Sequence, residues 1–410
     1  MTLTLAQLRA SPNALAPSYT RFRVADRLLL TGHSHQAWPD VAREGVLAAY
    51  DDAAELADEK WERAFAVAEE VRAGFRVWLD DDAGDLALGA STHELVVRLL
   101  SSLDLRARPR IVTTDGEFHT LRRQLARLAE TGLVEVVRVA VAPVETLAER
   151  LAREVDDRTA AVFVSAVLFE SGRVVDRLES LARASDTHGA ELVVDAYHAL
   201  GPTRFSVARL GLGEAWVVGG GYKYLQLGEG NCFLRVPPRA AAYRPAVTGW
   251  YAEFGALAAR HAGELVAYGT GGAARFAGST YDPTSHYRAA RVMAFFAGQG
   301  LTPAFLPDVY RHQVAHLARA FDALDLPTDV ITRDRSIPPD ALGGFLALRS
   351  PHAAALQAAL ARDGVLTDSR GDVLRLGPAP YLSDGQLDAA MTALRSAATS
   401  GSGRSRADNS

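Results

Sequence analysis

Lysine is rare in this chain, and one of its lysines stands where an amine can do chemistry. Of 44 basic residues only Lys60 and Lys223 are lysine. Lys60 lies in Asp58-Glu59-Lys60-Trp61-Glu62, which reads as a solvated helix face. Lys223 follows an apolar run, Ala215 to Val218, and three glycines, Gly219 to Gly221, where a backbone can approach a ligand closely. An amine there can lose its proton and condense with a carbonyl, which a guanidinium cannot do. Lys223 is therefore a Schiff-base candidate.

A carboxylate completes the signal. Asp195 ends the run Glu191-Leu192-Val193-Val194, so it stands at the carboxyl end of an expected buried strand, where open α/β sheets place ligands. An anion so placed can pair with the ring nitrogen of pyridoxal 5'-phosphate (PLP) and keep the ring an electron sink. Singly, a strand-end Asp is more often a helix cap, and a Lys after glycines is usually a loop charge. Together they point to a PLP site.

Stepping outward, Ser91-Thr92-His93-Glu94 follows Gly89-Ala90 and opens an apolar-periodic helix. Free N–H groups, hydroxyls and the positive helix end would suit a phosphate. An ordinary capping box, Ser91 with Glu94, fits the same residues. Strands are expected at Arg110 to Thr114, Val134 to Val141 and Ala160 to Leu168, with a helix at Glu145 to Val155, an alternation that argues a parallel sheet covered on both faces. From Pro39 to Leu79 the apolar spacing predicts amphipathic helices with acidic outer faces.

Composition narrows the class. The chain has 410 residues, 48% hydrophobic, enough for one large domain and a smaller one. A net charge of −5 without a basic cluster leaves no electrostatic footprint for nucleic acid. No apolar run is long enough for a membrane span and no basic-then-apolar leader is seen, so a cytoplasmic location is expected. The lone cysteine, Cys232, has no disulfide partner, lies in the mostly apolar run Asn231 to Val236, and reads as a buried small hydrophobe. His33 and His35 have the look of a metal pair, but no further ligand at a recognisable spacing follows, and no metal site is expected.

Asp195-Ala196-Tyr197-His198, then Gly221-Tyr222-Lys223-Tyr224-Leu225 and Gly228-Glu229-Gly230, resemble the core of kynureninase within the class V aminotransferase group. Tyr222 before the lysine points to kynureninase, since related cysteine desulfurases usually carry a His there and a mobile nucleophilic Cys in the C-terminal half. The resemblance spans roughly Gly32 to Leu394. It implies PLP fold type I, an α/β architecture with a mostly parallel seven-stranded sheet between helices and a smaller α/β C-terminal domain. The expected division is an N-terminal arm (1–30), a large PLP-binding domain (31–280), a small domain (281–396) and a disordered tail (397–410), the last also read from its Ser, Gly, Arg and Asp composition.

The resemblance also assigns residues. Lys223 would carry the cofactor and move the substrate's α-proton, Asp195 would face the ring nitrogen, His198 would orient Asp195, and Tyr222 would donate a proton. Ser91 and Thr92 would hold the phosphate and Phe118 would stack on the ring, although Leu121 replaces the family's Asp three residues later. Trp250 resembles the Trp of a Ser-Gly-Trp segment, and Arg275-Phe276-Ala277-Gly278-Ser279-Thr280 resembles an Arg-Phe-x-x-Gly-Thr segment. In the family both cross the dimer, so a homodimer with shared active sites is implied. Gly32 and Ser34 match a Gly-Asn-Ser-Leu-Gly segment near the substrate, where His33 also stands. Arg375, before Gly377-Pro378-Ala379-Pro380, matches the arginine that takes the substrate α-carboxylate, a task suited to a planar bidentate donor. Phe169-Glu170-Ser171-Gly172 departs from the family's Asn-Tyr-Arg-Thr-Gly. The implied activity is hydrolysis of a kynurenine-like Cβ–Cγ bond. A class V aminotransferase, a related PLP lyase, or a PLP-binding protein without catalysis are the alternatives.

Overall fold

The computed structural model describes residues 2–256 and 265–407. A short β1 (Leu28–Leu29) precedes a seven-stranded sheet made of β2 (Asp85–Gly89), β3 (Arg110–Thr114), β4 (Glu135–Val139), β5 (Thr159–Ser165), β6 (Glu191–Asp195), β7 (Trp216–Gly220) and β8 (Cys232–Val236), in the order β2-β8-β7-β6-β5-β3-β4. From β7 through to β4 the pairs are parallel, while β8 runs antiparallel to both β2 and β7.

The sequence explains why this sheet is covered on both faces. In a strand, alternate side chains point to opposite faces. Val112, Val162, Val194 and Val217 enter one apolar core. Their neighbours Ile111, Phe163, Val193, Trp216 and Val218 enter a second. A strand buried on two sides reads as an unbroken apolar run, as Leu192-Val193-Val194 and Val217-Val218 do. Full burial of each valine contributes roughly 1.5–3 kcal/mol, before chain entropy is counted.

Register then sets the site. Ser165 pairs with Asp195, Asp195 with Val218, and Gly220 with Cys232. The carboxyl ends of β5, β6 and β7 thus lie side by side, and Lys223 follows β7 by three residues. Gly219 to Gly221 were expected to let a ligand near the backbone; here side chains occupy the space on their Cβ side. A Cβ on Gly220 would lie 2.4 Å from Tyr197 Oη, and one on Gly221 would lie 2.2 Å from Leu227 Cδ1.

The expected helices are present at Val41–Leu56 and Lys60–Leu79. The expected Glu145 to Val155 helix is a 3-10 turn, Val144–Thr146, running into Leu147–Arg153. A second, antiparallel sheet follows: β9 (Leu346–Arg349), β11 (Asp368–Arg370) and β12 (Val373–Leu376), with β10 (Val365–Leu366) pairing β1 in parallel. Gly32 N–H donates to Gly377 O at 2.8 Å and Gly377 N–H to Leu30 O at 2.8 Å, so the segment after β1 is stitched beside β12.

The Asp384–Ala407 helix carries the chain past Ala397, where composition led us to expect a solvated tail. Ala398 is buried and packs in the core, so an apolar anchor exists beyond the expected boundary. Residues 408–410, the end of that expected tail, lie outside the described residues. Among the described residues no helix is long and apolar enough to cross a membrane.

Candidate active site

Lys223, Asp195, His198, Tyr222, Ser91, Thr92 and Phe118 line one cavity of about 270 Å³. Lys223 is 6% exposed. Its Nζ donates to His198 Nε2 at 2.8 Å and lies 5.5, 4.6 and 5.5 Å from the ring centres of Phe118, Tyr197 and Tyr222. Burial among these rings disfavours the ammonium. It brings the Lys223 pKa down to about 8, with Asp195 pulling the other way and Arg375 adding to the fall.

Asp195 is held from one side only. Tyr197 N–H donates to its Oδ1 at 2.8 Å, and among the described residues no hydrogen bond is seen to the other oxygen. Burial raises the Asp195 pKa, against the Tyr197 N–H and the Lys223 charge. His198 is neutral, because burial, Lys223 and His33 all lower its pKa, and its buried Nδ1 has no partner among the described residues. The Tyr222 phenol stays protonated, pushed up to about 12 by burial and by nearby Cys232, Asp195 and Glu229.

The Ser91 segment forms a helix cap. Ser91 Oγ accepts from Glu94 N–H at 3.2 Å and caps the Thr92–Leu100 helix, while Glu94 Oε2 accepts from Ala90 N–H at 3.1 Å. The same helix end opens onto the Lys223 cavity. Phe118 is 37% exposed and lies edge-on to Phe169, so its ring is available to a flat ligand. Leu121 lines a small void of about 20 Å³ with Thr92, Phe118 and Asp195.

Arg375 and His33, expected beside the substrate, are both held by Asp368. Arg375 Nε and Nη2 donate to Asp368 Oδ1 and Oδ2 at 2.8 and 2.5 Å, and Nη1 donates to Phe169 O at 2.6 Å. His33 is buried under Phe345, 4.8 Å between ring centres. Burial first, then Arg375 and Lys223, lowers its pKa to about 4 against the pull of Asp368, so at neutral pH it is uncharged and its Nε2–H donates to Asp368 Oδ1 at 2.8 Å. Burial works against the Asp368 carboxylate, but hydrogen bonds from His33 and Arg375 outweigh it and hold the group ionised. Ser34 Oγ donates to Thr31 O at 3.2 Å, and neighbouring His35 stacks on Tyr222 with ring centres 5.4 Å apart.

Trp250, Ser279 and Thr280 are not gathered around Lys223. Trp250 is 43% exposed and its Nε1–H donates to Thr280 Oγ1 at 3.3 Å. Ser279 and Thr280 line a separate open cavity of about 1030 Å³, which shares Ala90, Glu229 and Gly230 with the first.

Three site residues were missed in the sequence. Tyr197, quoted only as part of a motif, is the ring nearest Lys223 Nζ. Ser165 lines the cavity and gives both N–H and Oγ–H to buried Glu117, at 3.1 and 2.6 Å. Asp368 lies opposite Arg375 in the β11–β12 hairpin. Its signal was present: Asp368-Ser369-Arg370, a Gly371-Asp372 turn, then Val373 to Leu376 is a hairpin pattern that sets 368 against 375.

The site's chemistry fits PLP. A poised buried amine, a strand-end carboxylate with an oxygen to spare, an open aromatic face and a capped helix end meet in one cavity. No protein-family model and no curated protein sequence matches the chain. Solved structures do. A C-DES mutant with glycine covalently linked to its PLP cofactor is 16% identical, with a TM-score of 0.79 over 92% of this chain and 98% of that one. The cystine C–S lyase C-DES with its product cysteine persulfide is 16% identical, with a TM-score of 0.78 over 91% and 98%. Apo cysteine desulfurase from Thermococcus onnurineus NA1 is 16% identical, with a TM-score of 0.76 over 95% and 98%. None of the three is a kynureninase, the family that the motifs resemble. At this identity the likeness carries the architecture and not the substrate. The chain has the α/β architecture of PLP fold type I, the fold of these cysteine desulfurases and C–S lyases.

Proposed function

We propose that the protein is a PLP-dependent enzyme acting on an α-amino acid, with kynureninase-like hydrolysis of a Cβ–Cγ bond as the reading that its residues support best. The observation that carries it is the meeting of Lys223, Asp195 and Phe118 in one cavity. When bound, PLP supplies an electron sink in conjugation with the substrate's amino nitrogen.

The rest is work for the chain. Asp195 offers its spare oxygen to the ring nitrogen, and His198, within 2.8 Å of Lys223 Nζ, helps fix the lysine on that side. Ser91, Thr92 and the helix end behind them hold the phosphate. Lys223, with a pKa near 8, takes the proton from the substrate Cα. Tyr222, protonated at neutral pH, is the donor that returns one. Arg375 has its side edge on Asp368 and its Nη1 on Phe169 O, so one N–H on each Nη is left for the substrate carboxylate, with His33 on the same Asp368 and Ser34 proposed to complete this side. Phe118, Phe169, Tyr197 and Tyr222 give the cavity aromatic walls suited to an aryl side chain. Water attack on the side-chain carbonyl would then release alanine and an anthranilate-type acid. Trp250, Ser279 and Thr280 are proposed to act from the second subunit of a homodimer, across the shared edge of the two cavities.

A second reading is cleavage of a carbon–sulfur bond, favoured by the likeness to the C–S lyase C-DES. Desulfurase chemistry is disfavoured by Cys232, the one cysteine, which sits in β8 with its thiol pushed up to about 11 by burial. Borohydride trapping with peptide mapping tests the site, since the label must fall on Lys223. Turnover assays with kynurenine, 3-hydroxykynurenine, cystine and cysteine, with and without an oxo acid, test the reaction. Repeated release of anthranilate without an oxo acid supports the first reading, persulfide or sulfide the second. A need for oxo acid indicates an aminotransferase, and trapping without turnover of any amino acid indicates a binding protein.

A further inference from the structure

Outside the Lys223 cavity, two histidines and a carboxylate come together at the junction of two helices. His312 and His316 stand one turn apart on the Leu306–Ala323 helix and so project from the same face. Asp384 is the first residue of the Asp384–Ala407 helix, and Asp388 follows one turn on. One ligand atom each from His312, His316 and Asp384 lie within 4.8 Å of one another.

The hydrogen bonding orients these atoms. His316 Nε2 is 2.7 Å from Asp388 Oδ1, and its Nδ1 is 3.9 Å from Asp384 Oδ2. His312 Nε2 is 2.7 Å from Asp384 Oδ1. With Nε2 taken by Asp388, His316 turns Nδ1 toward the Asp384 carboxylate, so a nitrogen and an oxygen that can both ligate a cation face each other at 3.9 Å. A carboxylate behind a ligating imidazole is also how metal-bound histidines are commonly held in one tautomer. Ligands of a tetrahedral Zn²⁺ at about 2.0–2.2 Å lie about 3.4 Å apart, so small side-chain rotations suffice. The side chains are 14%, 18% and 21% exposed, which leaves a path for the ion and for a water as fourth ligand.

We propose that His312, His316 and Asp384 form a binding site for a divalent borderline metal ion such as Zn²⁺, with Asp388 positioning His316. Nitrogen and carboxylate donors together suit such an ion. The bound ion ties the two helices together. Arg9 competes for it: its Nε donates to Asp384 Oδ2 at 2.9 Å, and with half its side chain exposed it can swing away.

The test is calorimetric titration of Zn²⁺ into the full-length, cofactor-loaded protein after chelator treatment. One equivalent is expected to bind, and the His312→Ala/His316→Ala double variant is expected to lose this site. Arg9→Ala should bind Zn²⁺ at least threefold more tightly, which a purely ion-paired cluster would not do. Melting without metal checks that each variant folds. If the double variant proves unstable, Asp388→Asn serves instead, with affinity expected to fall about tenfold. Absence of saturable binding in the parent protein, or equal binding in the double variant, overturns the proposal.

Discussion

Arg375 and Asp368 face each other across the β11–β12 hairpin and share two hydrogen bonds, at 2.8 and 2.5 Å, one on each carboxylate oxygen. The pair is the joint between the second sheet and the Lys223 cavity, since Nη1 of the same arginine also holds Phe169 O. A guanidinium pinned along one edge has its other edge oriented before a ligand arrives.

Asp368→Asn should therefore weaken substrate binding more than turnover. We expect KM for the amino-acid substrate to rise tenfold or more with kcat changed less than threefold, and Arg375→Lys to be worse, because a point charge cannot replace the fork. Steady-state kinetics on folded variant checks this. A variant that only lost folded protein, with KM unmoved, would remove the positioning role.

The amine at Lys223 should react at a lower pH than a free lysine. Burial brings its pKa to about 8, so the neutral fraction grows as pH rises through that value instead of near 10. After removal of cofactor, the rate of the absorbance change on adding PLP should climb up to about pH 8 and then level. A rate still rising tenfold per pH unit at pH 9 would contradict this, and Lys223→Arg should show no covalent species.

Glu117 should make stability fall with rising pH. Burial raises its pKa to about 7, against hydrogen bonds from Ser165 and Thr114 and with Asp195 adding to the rise. The folded state then keeps a proton that the unfolded chain has released between about pH 4.5 and 7. Its contribution is full below about 4.5 and is lost as pH passes 7, up to about 3 kcal/mol at roughly 1.4 kcal/mol per pH unit. Urea unfolding at pH 5 and pH 8 should show a smaller difference in Glu117→Gln than in the parent.

Gly221→Ala should destabilise by about 1–3 kcal/mol, because its Cβ would lie 2.2 Å from Leu227 Cδ1. Shortening the neighbour relieves the clash, so Gly221→Ala/Leu227→Ala should be less destabilised than the sum of the single changes. Full additivity in denaturant melts would refute the contact.

Cys232→Ala should keep turnover within about twofold of the parent and cost about 1 kcal/mol in stability, the loss of one buried sulfur. Complete loss of activity in a folded variant would return a cysteine nucleophile to consideration.

The pairing of Asp195 with Lys223 was legible in the chain because each follows a run buried on both faces, and such runs end where open α/β sheets put their ligands. The fold class was legible for the same reason: alternation of strand and helix is a local property that one linear pattern records. The glycines before Lys223 were located correctly but read for the wrong neighbour, since only three-dimensional packing shows that Tyr197 and Leu227 fill their empty space. The helix running to Ala407 was hidden because Ser and Gly are poor evidence for a helix, while burial of Ala398 is a tertiary fact.

What the sequence determined alone was the placing of Asp195 and Lys223 together at the sheet's carboxyl edge and the architecture that carries them. Tertiary structure decided which groups answer that pair. His198 meets Lys223 from a different loop, Asp368 claims Arg375 by hairpin register, and Trp250 lies against Thr280 and away from the lysine. Such contacts depend on distances between segments far apart in the chain. No local pattern of residue types encodes them; the packing of the two sheets and their helices does.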